Sequence, residues 1–176
     1  MTTIRRVTAD ELARIPELDV SEESAAVYVQ RGAQVELVRR AHRRPPRSAE
    51  EWDPEVRHWQ DVVRDGGAAF GAFDGDRLVG FAVLRLGLTE DMAQLAGLYV
   101  DRAWRRHGVA TALVEQVVGR ARAEGATWLY VSAAPSDSAV GFYLSRGFEP
   151  IAEPNPELFE LEPEDVHMVR PLGPAG

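Results

Sequence analysis

Arg105-Arg106-His107-Gly108-Val109-Ala110 stands between a strand-like segment ending at Val100 and a helix-like segment running to Glu124. The first turn of a helix has N–H groups without internal partners and carries the positive end of the helix dipole. A junction of this kind can therefore aim several main-chain donors at one anion. Gly108 lets the backbone approach a bulky oxyanion, Ala110 keeps the next position small, and Arg105 and Arg106 add charge-assisted contacts. Taken alone, so short a pattern also occurs by chance at an ordinary helix start. Its setting argues for more. Gly97 interrupts the preceding strand and marks a bulge or a close backbone approach, while Val109, Leu113, Val117 and Ala121 repeat at helical spacing. The lysine and hydroxyl residue of a P-loop are absent, and no GxGxxG follows a first strand.

Outward from that turn the chain reads as a mixed α/β (α+β) order. Residues 4–9 predict a first strand. Ser21 predicts the cap of a helix reaching about Arg31, and Asp53-Pro54 the start of another to about Arg64. Residues 68–73 and 78–86 flank Asp74-Gly75-Asp76 and predict a hairpin; with the rest of an EF-hand loop missing, a plain turn is favoured over a calcium loop. Leu95 to Val100 predicts a strand, and Gly125 closes the helix after it. Trp128 to Ala133 predicts an inner strand, with Trp128 in the core, while Trp52 and Trp59 either pack the second helix or line an acceptor cleft. Ser136 or Asp137 caps a short helix that Gly147 ends before a strand from Phe148, and Val166 to Leu172 completes the set. Arg39, Arg40, His42, Arg43, Arg44 and Arg47, with Pro45-Pro46, predict an exposed basic loop, either simply solvated or in contact with phosphate.

The 176 residues suit one domain, residues 1–176, with one core. A net charge of -8 opposes broad nucleic-acid affinity, since a phosphate backbone would be repelled. No apolar stretch is long enough to span a membrane and no secretory leader is visible, so neither membrane nor export is expected. Without cysteine there are no disulfides or thiolate chemistry, and the cytoplasm is the expected compartment. His107 has no ligand-type neighbour at a metal-binding spacing, so no metal is expected. The acidic run from Glu149 through Glu153, Glu157, Glu160, Glu162, Glu164 and Asp165 would draw a cationic substrate if it lay near a cleft.

Four segments in this order resemble the GNAT superfamily of acyl-CoA-dependent N-acyltransferases: Gln94 to Val100, Arg105 to Ala110, Leu129-Tyr130-Val131-Ser132, and Ala139 to Phe148. The likeness covers about residues 68–150 well and the flanks by element order alone. It implies a single-domain GNAT fold, with a mixed, mostly antiparallel sheet of six to seven strands flanked by about four helices. It also implies acetyl-CoA as cosubstrate, a small cationic amine as acceptor, and direct attack through a ternary complex. Another acyl-CoA, a protein N-terminus as acceptor, and an inactive acyl-CoA-binding sensor stay open, as does a homodimer.

By the same resemblance the main chain of Leu98, Tyr99 and Val100 holds the pantetheine arm. Arg105, Arg106, His107, Gly108, Val109 and Ala110 hold the pyrophosphate, and Ser138 stands where relatives place a coenzyme-contacting asparagine. The Leu98 N–H is the implied oxyanion donor, and Tyr143 the implied proton donor to the thioester sulfur. Packing against the sheet is the alternative for Tyr143. No general base is evident, because Gln94 and Ala96 on the glycine-bulged strand cannot ionise. Glu90, Asp91, Glu160, Glu162, Asp165 and His167 are the nearby ionisable groups, with His167 read either as a surface-strand residue or as pointing into a cleft.

Overall fold

The computed structural model describes residues 1–174. In chain order the elements are β1 (Thr2–Val7), a 3-10 helix (Asp10–Glu17), β2 (Glu22–Arg31), β3 (Gln34–Arg44), α1 (Ala49–Arg64), β4 (Ala68–Asp74), β5 (Arg77–Arg85) and β6 (Met92–Val100). There follow α2 (Val109–Ala123), β7 (Trp128–Ala133), α3 (Asp137–Ser145), β8 (Glu149–Pro150), α4 (Pro156–Leu161) and β9 (Val166–Pro171). Seven strands form one sheet in the order β1-β4-β5-β6-β7-β9-β8, and β2 pairs with β3 in a separate hairpin. Every neighbouring pair in the large sheet is antiparallel except β6 with β7. This is the mixed, mostly antiparallel sheet with four flanking helices that the sequence implied.

The parallel pair decides the architecture. A crossover helix must join parallel neighbours, and α2 does so while burying Val109, Leu113, Val114, Val117, Val118 and Ala121 on one face of the sheet. Val140 and Tyr143 of α3 join the same apolar cluster. The opposite face holds the 3-10 helix and α1, through Leu12, Ile15, Trp52, Val56 and Trp59. Leu158 of α4 packs there with Tyr130 and Val169, residues that alternate with the α2-side residues Leu129 and Met168.

β6 and β7 pair only over Met92–Gln94 and Trp128–Tyr130. Beyond Gln94 the strands diverge. On its other side β6 stays bonded to β5, with a register shift where Val83 opposes Gly97 but Leu84 opposes Leu95. The bulge is held from outside the sheet: Trp59 Nε1 donates to the Ala96 carbonyl at 3.1 Å, and the indole lies over Gly97, where a Cβ would come 2.9 Å from its ring. Gly97 is thus required by the ring above it.

Several expectations are corrected. Residues 22–31 form a strand: Val27-Tyr28-Val29 favour extended backbone, and the Gly32 turn (φ +62°) returns the chain into β3. Arg39 to Arg44 therefore sit in β3, and only Pro45 to Arg47 of the basic segment are irregular. α1 begins at Ala49, not at Asp53, because Ser48 and Glu51 form a reciprocal capping box; Pro54 lies inside the helix. Trp128 is 38% exposed, not core, because it opens β7 on the α4 face beyond the reach of any helix. The acidic connection after β8 contains α4, capped by Asn155.

Gly97→Ala would force the new methyl into the Trp59 indole and should lower unfolding free energy by about 1–3 kcal/mol, read from urea denaturation with tryptophan fluorescence. An unchanged midpoint would show that the ring is free to move.

Candidate functional site

The divergence of β6 from β7 opens a cleft of about 1000 Å³ that runs through the sheet. Leu95 to Val100 form one wall and Val131 to Pro135 the other. The first turn of α2 and residues Ala139, Phe142 and Tyr143 of α3 line it on one face; Glu55 and Trp59 of α1, with Leu158 and Leu161 of α4, line it on the other. Arg43 and Arg44 of the hairpin also border it.

Main-chain donors face this space. The Asp101 N–H donates to Val79 of β5 at 2.8 Å, so the period-two alternation of a strand turns the Tyr99 N–H toward β5 as well. The N–H groups of Leu98 and Val100 consequently point to the open side. Two side-chain faces alternate in the same way, with Leu98 and Val100 against the α2-side cluster and Tyr99 stacked among Trp52, Trp59 and Phe81. At the start of α2, Arg106 (φ +65°) and Gly108 (φ +79°) both adopt left-handed backbone, which curls successive N–H groups around a concavity. No side chain caps this 15-residue helix. The space beside Gly108 is open, so its glycine is explained by the positive φ, while approach to the first-turn donors is left clear.

The turn is pinned from behind. Asp101 is buried; its carboxylate accepts from Asp19 and Ala103 N–H at 3.0 Å each. Arg105 donates to the Ser21 carbonyl at 2.8 Å, and burial pulls its pKa below the usual arginine value. His107 Nδ1 bonds the Arg105 carbonyl at 2.8 Å, while Arg106, His107 and Gly108 are exposed. Val109 is buried in the core and Ala110 borders the cleft. Ser138 lies at the N-terminus of α3, where its hydroxyl donates to Glu22, a carboxylate also paired with Arg44 at 2.9 Å.

Tyr143 is 8% exposed, packed edge-on to Phe148, and lines the cleft. Burial drives its pKa upward, with the nearby charges of Tyr99 and Asp165 adding to the shift. The phenol therefore stays protonated at neutral pH. His167 is neither a cleft nor a surface residue. It is fully buried, accepts from the Tyr130 hydroxyl at Nδ1 (2.6 Å) and contacts the Glu162 carbonyl through Nε2 (2.9 Å); burial lowers its pKa, which suits a neutral ring.

The acidic segment enters the cleft at Glu157, Glu162 and Asp165, with Glu55 of α1 beside them. Burial, reinforced by repulsion from Glu162, pushes Asp165 up to about 7. Glu90, Asp91 and Glu160 do not line the cleft. Of the two tryptophans read as packing the second helix or lining an acceptor cleft, Trp59 borders the cleft and Trp52 does not. Sequence reasoning missed Glu55, Glu22 and Asp101. Only Asp101, an acid immediately after the strand and before the anion-type turn, left a local trace.

The comparisons agree with this geometry. The profile of the acetyltransferase (GNAT) family matches residues 35–148. No curated protein matches the chain. Among solved structures it is similar to nourseothricin acetyltransferase, at 20% identity over 97% of this chain and 98% of the other, with a TM-score of 0.73. A Bacillus anthracis protein assigned as a streptothricin acetyltransferase, in complex with acetyl coenzyme A, gives 18% identity, 96% coverage of each chain and a TM-score of 0.73. The ribosomal-protein-S18-alanine N-acetyltransferase of Escherichia coli gives 18% identity, 100% and 97% coverage, and a TM-score of 0.65.

Asp165 makes the fold less stable as pH rises. Its carboxyl ionises near 3.8 when unfolded but near 7 when folded, so between those values the folded state holds a proton that the unfolded state has released, and the contribution to stability, full below 3.8, is lost as pH rises to about 7. Asp165→Asn should therefore melt above the wild type at pH 8, with the difference vanishing at pH 4. Equal differences at both pH values in calorimetry would contradict the burial argument.

Proposed function

On the premise that the chain belongs to the acetyltransferase (GNAT) family, which transfers an acyl group from coenzyme A to an amine, we propose that it is an acetyl-CoA-dependent N-acetyltransferase acting on a small cationic amine. One observation carries this reading: a gap through the sheet with free main-chain donors on the α2 side and carboxylates on the α1 and α4 side. An anionic coenzyme and a cationic acceptor would then enter from opposite faces and meet between β6 and β7.

The residues fit the coenzyme. The first turn of α2, with Arg105, Arg106, His107, Gly108, Val109 and Ala110 around it, would hold the diphosphate. Val100 N–H, on the open edge of β6, would pair with the pantetheine arm, with Tyr99 fixing the strand between them. Acetyl-CoA supplies the activated acyl group. Leu98 N–H would donate to the carbonyl oxygen as it gains charge, and Tyr143 would hold a proton at the sulfur. Ser138 has committed its proton to Glu22, which leaves a lone pair for the coenzyme.

The acidic mouth favours a cationic acceptor over a neutral one. Nourseothricin and a ribosomal-protein alanine, named for two structural neighbours, illustrate a small molecule and a protein terminus as acceptors of this fold. The sensor alternative rested on the missing obvious base, and the presence of Asp165 and Glu162 at the cleft supports the enzyme reading over it.

Two variants test the assignment. Gly108→Glu places a strained, negative side chain beside the α2 donors and should abolish acetyl-CoA binding by calorimetry while unfolding stays cooperative; wild-type affinity would remove the diphosphate assignment. Tyr143→Phe should cut kcat about a hundredfold with little change in coenzyme affinity, and wild-type turnover would end the proton-donor role. The chain contains no lysine, so label from acetyl-CoA will not accumulate on its own side-chain amines.

A further inference from the structure

We propose that Asp165 takes the proton from the acceptor's ammonium, and that Asp165 and Glu162 together seat that ammonium on the α1/α4 side of the gap. The inference rests on the transferase reading above and names the group that β6 itself does not provide.

Charge balance within the cleft is the first support. Five carboxylates line it, and three already have a cation: Glu22 with Arg44 at 2.9 Å, Glu55 with Arg47 at 2.6 Å, and Glu157 with Arg85 at 3.1 Å. Among the described residues Glu162 and Asp165 have none. The neighbours that shift them, Glu55 and Glu162 respectively, are both acids. Asp165, half-buried and next to the exposed Glu162, is costly to ionise unless a cation arrives with the ligand.

Tyr143 is an independent second support. Its side chain is more than nine-tenths buried, borders the same cleft, makes no protein hydrogen bond among the described residues and lies close enough to feel the charge of Asp165. A phenol with no protein partner, bordering the same cleft and electrostatically coupled to Asp165, is available to a ligand that spans the gap. The acidic turn is also fixed in place. His167 Nε2 and the Asp165 N–H both donate to the Glu162 carbonyl, at 2.9 and 3.2 Å, and Tyr130 orients the imidazole. The other charged or titratable groups bordering the cleft are Glu22 on β2, His42, Arg43 and Arg44 on β3, His58 and the paired Glu55 on α1, Arg85 on β5, Tyr99 on β6, Arg105 and Arg106 before α2, and Glu157 on α4. A carboxyl that titrates near 7 can accept a proton from an ammonium and return it to water at neutral pH.

The step balances. Asp165 takes one proton from R–NH3+, and the freed lone pair forms the N–C bond at the thioester carbonyl. The C–S bond then breaks, and the second surplus nitrogen proton passes through the Tyr143 hydroxyl to the departing sulfur. The products are the amide, the free thiol and a proton released from Asp165 to solvent.

The test follows thiol release from acetyl-CoA between pH 5.5 and 10 with n-butylamine, 1,4-diaminobutane and n-butanol as probe acceptors. Wild type should turn over an amine and not the alcohol, with kcat/KM falling below pH about 7. Asp165→Asn should lose about a hundredfold or more in kcat, and its rate should climb about tenfold per pH unit as free amine accumulates. Its acetyl-CoA affinity by calorimetry should be unchanged. Glu162→Gln should raise KM for the amine and retain the acidic limb. Wild-type kcat with an intact acidic limb in Asp165→Asn, or loss of that limb in Glu162→Gln alone, would overturn the assignment while leaving the transferase reading standing. No wild-type turnover with either amine would overturn the transferase reading and this inference with it.

Discussion

The structure depends on keeping β6 apart from β7 after Gln94. A parallel pair that continued to Val100 would satisfy the Leu98 and Val100 N–H groups within the sheet and close the cleft. Trp59 prevents a regular continuation by claiming the Ala96 carbonyl and lying on Gly97, while β5 keeps β6 in register on its other side. The indole thus links core packing to the site: one buried ring supplies apolar contact area and an N–H that fixes the bulge. The open edge would be costly if it were dry and unpaired, which is why such an edge belongs beside a ligand with its own amide groups.

Charge is sorted across the sheet by the same divergence. The α2 side offers main-chain donors, and the α1/α4 side offers Glu162 and Asp165 beyond the carboxylates that Arg47 and Arg85 already pair. The β2–β3 hairpin links the two, since Glu22 and Arg44 meet at the N-terminus of α3 while Gln30 bonds the backbone of Ile151 and His167. Asp101 and Ser21 then tie the start of that hairpin region to the turn before α2. Few of these contacts are local in sequence. The hairpin is therefore part of the site's frame and not an appendage to it.

The central strand-helix-strand passage was legible because its signals are local: the Leu113, Val117 and Ala121 repeat, Gly125, and the cap at Ser136 each report on a few neighbouring residues. Residues 21–31 misled because Ser21-Glu22-Glu23 is good helix-start chemistry, whereas pairing with β3 decides the backbone. Trp59 opposite Gly97 and Glu55 opposite Glu162 were invisible because they meet only after α1 docks on the sheet. Asp165 stood among seven acids with nothing in the sequence to single it out; burial and the lack of a cation do so in three dimensions. His167 alternated correctly with Val166 and Met168, but the cover provided by α4 had no sequence signal.

Amide hydrogen exchange with and without coenzyme A tests the account most directly. The open-edge geometry predicts that the N–H groups of Leu98 and Val100 and those of Val109 to Thr111 gain protection together on binding, while Tyr99 N–H, already turned to β5, is protected in both states. Binding that leaves the Leu98, Val100 and first-turn amides exchanging as before, with protection elsewhere, would contradict the claim that this gap receives the coenzyme.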